Sequence, residues 1–465
     1  MSLKNLYLKI SRRTTTKDRA AALSLICLLL LPFHSYPQEK KRDNLFELEN
    51  GLKVFLAEKH TLPLIHFVFA VNLGTKDESE EESGLVHILE HLILFRGTQF
   101  RSGDEISQDI RKHGAYFNAH TSRDLSFFEI SLPSEYTNFA LNNQKEILFN
   151  LKITQEELDE EKKVILEEIS QVEDDPYKYA TSLIYQNLFR GHPYQKPVFG
   201  KRDVIEAATV EQLEKFHHKY FIPNNCALTI VGDFDLEELA EKVKATFGDL
   251  KKEALPEHEF EKALPLKDTE EFQSEMDVNQ AYLVIGLLGP DYNHDDQYGL
   301  DVLTEVLGSG VTPMLFARLQ GRRELVHSAF MSYSALKYGG IFIIYITLDP
   351  KNISAAKREA IQFLKDTRQE DYSKDDFIGG EQFYRPDYLQ SAQNQIKFKI
   401  HQSQEKGLAV AASATMFMLL NEIPERGSYL EHIEKTSSSD LRKIAGDYLA
   451  KNRYVILSIL PKKEK

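Results

Sequence analysis

Two stretches of strand length open the pattern of apolar and polar positions, residues 53–57 and 64–71. A polar turn from Gly74 to Ser83 follows, and then residues 84–95, apolar at nearly every position, which predict a buried helix. Residues 115–132 predict a further strand pair. Long helical patterns then run to about Tyr220, and a strand at 227–231 leads into a helix at 236–247. The stretch 250–268, with Pro256 and Pro265 among many charges, is expected to be a linker. Beyond it the order recurs: a strand at 281–288, a helix at 298–307, a strand at 340–348, a helix from Ser354 and a last strand at 454–460. Aligning Gly84-Leu85 with Gly299-Leu300 sets Glu90 on Glu305, but His87 and His91 on Val302 and Val306. The expected fold class is α+β: two related, duplicated domains, 39–249 and 269–465, each a mixed or antiparallel sheet covered by helices, with chemistry in the first only.

Composition narrows the chemistry. An apolar share of 42% and a charged share of 28% over 465 residues fit a globular chain of more than one domain. Two cysteines, Cys27 and Cys226, exclude a disulfide framework or a cysteine-built metal site, so any metal must use histidine and carboxylate. Six basic side chains up to Arg19 precede an apolar run of 14 residues, 20–33, too short for a bilayer span of about 20 residues but right for a signal peptide over residues 1–38. The chain is therefore expected to be exported, in the periplasm or anchored to the membrane, with no transmembrane span in the mature part; the Arg12-Arg13 pair also allows a twin-arginine route. Residues 1–38 carry one acidic group and a net +5, so their removal takes the formal charge from −14 to −19. Such a body repels nucleic acid, and no phosphate-cradling glycine loop is present.

Within the apolar segment lies His87-x-x-Glu90-His91. Histidines four apart stack on one helix face, so both imidazoles reach one metal ion, and Glu90 between them is placed to activate water. Two histidines and a carboxylate inside a greasy helix cost several kcal/mol without a partner, and a metal offsets that cost. A third ligand is sought in residues 154–172, a helix opened by a Thr154/Glu157 capping box. Glu161 and Glu168 share its apolar stripe with Leu158, Ile165, Ile169 and Val172, whereas Glu156, Glu157, Glu160 and Glu167 face water. Glu167 rivals Glu168, since a one-residue slip exchanges them.

This motif, followed after 76 intervening residues by Glu168 in Lys163-Val-Ile-Leu-Glu-Glu-Ile169, resembles the pitrilysin/insulinase family, peptidase family M16. Gly84-Leu85 before the motif, Phe95-Arg-Gly-Thr98 after it, Gly114-Ala-Tyr-Phe-Asn-Ala-His-Thr121 and Val231-Gly-Asp233 fit as well. The resemblance implies Zn2+ on His87, His91 and Glu168, Glu90 as general base and Glu161 as a supporting carboxylate behind the ligands. It also implies halves that face each other across a cleft, and a strand at Asn118, Ala119, His120 and Thr121 that pairs with the backbone of an unfolded peptide substrate.

One departure stands out. Active single-chain members carry an arginine and, seven residues on, a tyrosine near the substrate; those positions here hold Gln320 and His327, and on a helix Arg322 points away from the Gln320 direction, so that Arg323 is the better stand-in. The resemblance then implies the zinc-bearing subunit of a heterodimeric metalloendopeptidase or oligopeptidase whose M16 partner supplies the pair. The alternative is a non-catalytic assembly or peptide-binding subunit that keeps the fold.

Overall fold

The computed structural model describes residues 43–255, 260–310, 313–320, 324–374, 376–378, 383–385, 387–420, 428–451 and 453–462. The expected leader over 1–38, Pro256 in the linker, and Arg322 and Arg323 lie outside the described residues. Strands β1 (Asp43–Glu47), β2 (Lys53–Glu58) and β3 (Leu64–Val71) are followed by α1 (Leu85–Phe95) and α2 (Gly103–Lys112). Next come β4 (Tyr116–Thr121), β5 (Ser126–Pro133), α3 (Thr137–Phe149), α4 (Gln155–Asp174), α5 (Pro176–Leu188), α6 (Arg202–Ala207), α7 (Val210–Tyr220), β6 (Cys226–Gly232) and α8 (Leu236–Phe247). The second half runs β7 (Glu270–Met276), β8 (Ala281–Gly289), α9 (Gln297–Thr304), α10 (Met314–Gln320), β9 (Ser328–Leu336), β10 (Gly339–Leu348) and α11 (Ile353–Asp366). It ends with the short hairpin β11 (Asp376–Ile378) and β12 (Phe383–Arg385), then α12 (Tyr388–Glu405), α13 (Gly407–Leu420), α14 (Ser428–Lys435), α15 (Ser438–Ile444) and β13 (Val455–Pro461).

The first sheet has the order β1-β2-β6-β3-β5-β4 and the second β7-β13-β8-β10-β9. Each contains one parallel pair, β2 with β6 and β7 with β13, and is otherwise antiparallel. Without β1 the two plans coincide strand for strand, which bears out the duplicated α+β reading. β6 and β10 are buried at every residue, as their apolar runs, each interrupted by one threonine, require of central strands.

The chain divides into two compact units, but these are not successive stretches of sequence. Unit 1 takes the described residues up to Ile165, then Val198–His258 and Ser403–Arg426; unit 2 takes Leu166–Pro197, Glu259–Gln402 and Gly427–Lys465. The expected boundary within 250–268 is crossed after His258, yet each unit also incorporates a helix from beyond it. Helix α13, buried along most of its length, packs on β3 and β6, where Thr415 Oγ1 bonds Thr229 Oγ1 at 2.8 Å. Helix α5 packs on β8 and β13, and Gly286 makes room for it: a Cβ there would meet Ile184 Cγ2 at 2.2 Å. The physical reason is burial, because each helix carries more apolar surface than its own stretch of chain can cover.

The helix expected over 298–307 is α-helical only to Thr304 and continues as a π-turn from Glu305 to Ser309. Residues 297–320 are long and apolar enough to cross a membrane by length and composition. Leu300, Leu303, Leu307, Leu315 and Leu319 are buried in unit 2, however, and Glu305 sits mid-stretch, so this is a core segment.

Candidate metal centre

Helix α1 starts abruptly. Its N-cap Gly84 has φ +113°, and a Cβ there would lie 2.4 Å from Ile205 Cδ1, so only glycine admits the turn. No Ser, Thr or Asp caps the helix from the preceding residue. The buried carboxylate of Glu78 does so instead, accepting from the backbone N–H of Gly84 at 3.0 Å and of Val86 at 2.9 Å. The helix then buries Leu85, Val86, Ile88, Leu89, Leu92 and Ile93 together with both histidines. α1 packs against β4, the edge of the first sheet.

His87 and His91 lie one turn apart and meet edge to face, ring centroids 4.7 Å apart, and Phe199 meets His87 edge to face at 5.1 Å. Glu90, between them in sequence, is half-buried. Helix α4 is opened by the expected capping box, Thr154 Oγ1 donating to Glu157 at 2.7 Å and the Glu157 N–H donating to Thr154 Oγ1 at 3.2 Å. It runs unbroken past the last unit 1 residue, Ile165, so Glu168 is positioned by the helix itself three residues on. One ligand atom each from His87, His91 and Glu168 lies within 4.8 Å of the others. Glu168 is half-buried, whereas its rival Glu167 is exposed, so the stripe rather than its neighbour delivers the carboxylate.

Glu161, two turns before Glu168, is buried and accepts from His91 Nδ1 at 3.0 Å. Arg96 donates to the other carboxylate oxygen of Glu161 from Nε at 2.8 Å and Nη2 at 2.5 Å, and also meets Glu160 at 2.9 Å. Burial alone would raise the Glu161 carboxyl, but the hydrogen bonds and charges of His91 and Arg96 outweigh it and hold the group below its ordinary value. With Nδ1 engaged, Nε2 is the nitrogen His91 offers a metal. The donor set, two imidazole nitrogens and one carboxylate oxygen with an acidic residue between the histidines, fits zinc. Sequence reasoning assigned no role to Arg96 or Phe199, and no local signal pointed to Arg96, because Glu160 and Glu161 lie on α4, with two helices between.

Asn118, Ala119, His120 and Thr121 lie on β4, whose outer edge has no strand beyond it among the described residues. Asn118 stands opposite Glu129 on β5, and His120 stacks on Phe127 with centroids 4.7 Å apart. Burial pushes Glu129 up to about 7 and His120 down to about 4, so the 3.9 Å approach of His120 Nδ1 to Glu129 is not an ion pair at neutral pH. Gln320 ends α10, and the exposed His327 reaches Asp349 at 3.3 Å.

A model of the insulinase family, peptidase family M16, matches residues 53–202, and one of the M16 inactive domain matches 207–379. The chain is 27% identical over 378 residues to an uncharacterized zinc protease of Rickettsia bellii, covering 79% of this chain and 85% of that one. It is 26% identical over 304 residues to the uncharacterized zinc protease YmxG of Bacillus subtilis, covering 64% and 72%. Among solved structures, a protease from Helicobacter pylori superposes with a TM-score of 0.81 at 23% identity, covering 90% of this chain and all of that one. An M16 inactive domain from Pseudomonas fluorescens superposes with a TM-score of 0.79 at 17% identity, covering 91% and 99%. With the two family models side by side over most of its length and the duplicated sheet plan beneath them, this chain belongs to peptidase family M16.

Proposed function

We propose that the chain is a zinc-dependent endopeptidase or oligopeptidase acting on unfolded peptides, with His87, His91 and Glu168 as metal ligands and Glu90 as general base. The observation that carries this reading is the convergence of those three donors to within 4.8 Å beside a buried, carboxylate-supported His91. When bound there, zinc supplies Lewis-acid polarisation and lowers the pKa of water to about 7. Glu90, on the same turn of α1, takes the proton of the attacking water and returns it to the leaving amine. The open edge of β4 takes the substrate backbone as an added strand, which gives affinity with little sequence preference. Glu161 holds His91 with Nε2 turned towards the ligand position.

Gln320 and His327, in place of an arginine and a tyrosine, favour activity as the zinc-bearing subunit of a pair, the second M16 chain supplying the missing donors. The same two residues favour a second reading, a non-catalytic peptide-binding subunit. Export by the leader over 1–38 belongs to the proposal as well. Metal analysis, and a peptidase assay of the chain alone and with a candidate M16 partner, separate the readings. Zinc with partner-dependent hydrolysis lost in Glu90→Gln supports the first; zinc-free protein, or hydrolysis that survives Glu90→Gln, overturns it.

A further inference from the structure

We propose that Arg96 is a positioning residue for the metal ligand His91, acting through Glu161; this rests on the zinc reading above. A carboxylate has two oxygens, and those of Glu161 are divided between two partners. Oε2 accepts from His91 Nδ1 at 3.0 Å, while Oε1 accepts both Nε and Nη2 of Arg96. Two donors on one rigid fork converge on Oε1, so the guanidinium pins that oxygen and sets a positive charge beside it. Glu161 is only 3% exposed, so no bulk water is at hand to replace either donor.

The placement in the chain gives the contact its purpose. Arg96 is the first residue after α1 and Glu161 lies in the second turn of α4, so the guanidinium joins the end of the helix that carries both histidines to the helix that carries the third ligand. Its second contact, to the exposed Glu160 at 2.9 Å, holds the side chain along α4. Without Arg96, Glu161 could rotate about its last torsion and present either oxygen, or neither, to His91. With Arg96 in place one oxygen remains for the imidazole, which selects the tautomer with hydrogen on Nδ1 and leaves Nε2 for the metal.

The test is the zinc affinity of the full chain, measured by competition with a chromophoric chelator, together with the visible spectrum of the cobalt(II)-loaded protein. Arg96→Met is expected to raise the zinc dissociation constant by about 10- to 100-fold and to alter the cobalt spectrum. Arg96→Lys, which keeps the charge but loses the fork, is expected to fall between it and the wild type. Wild-type affinity and an unchanged cobalt spectrum in Arg96→Met overturn the role of Arg96 while leaving the zinc reading standing. A wild-type chain that binds no zinc overturns both. Should Arg96→Met fail to fold, Arg96→Lys decides alone: a severalfold loss of affinity with an altered spectrum supports the proposal, and wild-type values overturn it.

Discussion

Helix α1 in unit 1 and the α9–π segment in unit 2 follow equivalent strands, β3 and β8, of one repeated sheet plan, yet they settle the same electrostatic problem differently. Glu90 and Glu305 correspond by sequence, whereas the two histidines become Val302 and Val306. The helices that supply the distant partner correspond too: Glu168 and Lys399 each lie eight residues before the start of the following helix, α5 or α13. In unit 2, Glu305 is buried and its Oε2 accepts from Lys399 Nζ at 2.6 Å and from Ser309 Oγ at 2.8 Å. The second unit thus answers its inward carboxylate with an ammonium tethered to the chain. The first has imidazoles and a second carboxylate, a set that calls for a cation from outside. What separates the copies is three side chains on one framework, and that is why a fold likeness alone does not say which unit does chemistry.

The largest expected effect lies in unit 1. His87→Ala should take the zinc content from about one per chain to none, and Glu90→Gln should cut turnover by about 10²- to 10⁴-fold with zinc retained. Glu305→Gln should leave the zinc content unchanged. Metal analysis by atomic emission and a peptide-cleavage assay read all three. A second equivalent of zinc that departs with Glu305→Gln would break the comparison, since unit 2 offers no imidazole at the corresponding positions.

Next in size is the tethered ammonium. Lys399→Met leaves Glu305 buried without its cation, which costs about 3–5 kcal/mol for a fully buried pair. Lys399 keeps about a third of its side chain exposed, 35%, so solvent screening brings the expected loss to about 2 kcal/mol. Denaturant unfolding measures it, and adding Glu305→Gln to Lys399→Met should recover part of the loss. Strictly additive changes would mean that the two groups do not stabilise each other.

Much of this was legible in the sequence, for reasons that differ from element to element. β3, β6 and β10 are apolar but for one polar residue each, and α8 carries an amphipathic stripe, so local pattern sufficed. The convergence of His87, His91 and Glu168 was legible because a helix turn fixes His87 against His91 and two turns fix Glu161 against Glu168, so spacing stands in for geometry. β7 was missed: its outer face is Glu271, Gln273 and Glu275, and its half-buried face mixes Phe272 and Met276 with Glu270 and Ser274, which weakens the alternation. β9 was missed as well, because Ser, Tyr and Ala alternate there with little contrast. The interchange of α5 and α13 between the units could not be read, because an apolar helix states that it needs a sheet but not which one. Arg96 and Lys399 were unreadable as partners for the same reason, their carboxylates lying 65 and 94 residues away.

The smallest effect sharpens the comparison through pH. Among the described residues each unit has one carboxyl raised to near neutrality: Glu129 beside the edge strand β4, and Asp301 in α9, which accepts from Tyr429 Oη at 2.5 Å and Gln297 Nε2 at 3.1 Å. Burial is the main cause in both, and raises each to about 7. Because the folded value lies above the unfolded one, the folded state holds the proton more tightly. The stabilisation is complete below the ordinary carboxylate range and is lost as pH rises through 7. Between pH 6 and 8 the wild type should therefore lose about 1 kcal/mol relative to Glu129→Gln, whose amide does not titrate. Thermal midpoints of the two proteins across that window test it. The variant should gain on the wild type as pH rises from 6 to 8, and parallel profiles would mean that Glu129 ionises freely and that the β4 edge is wetter than its burial indicates.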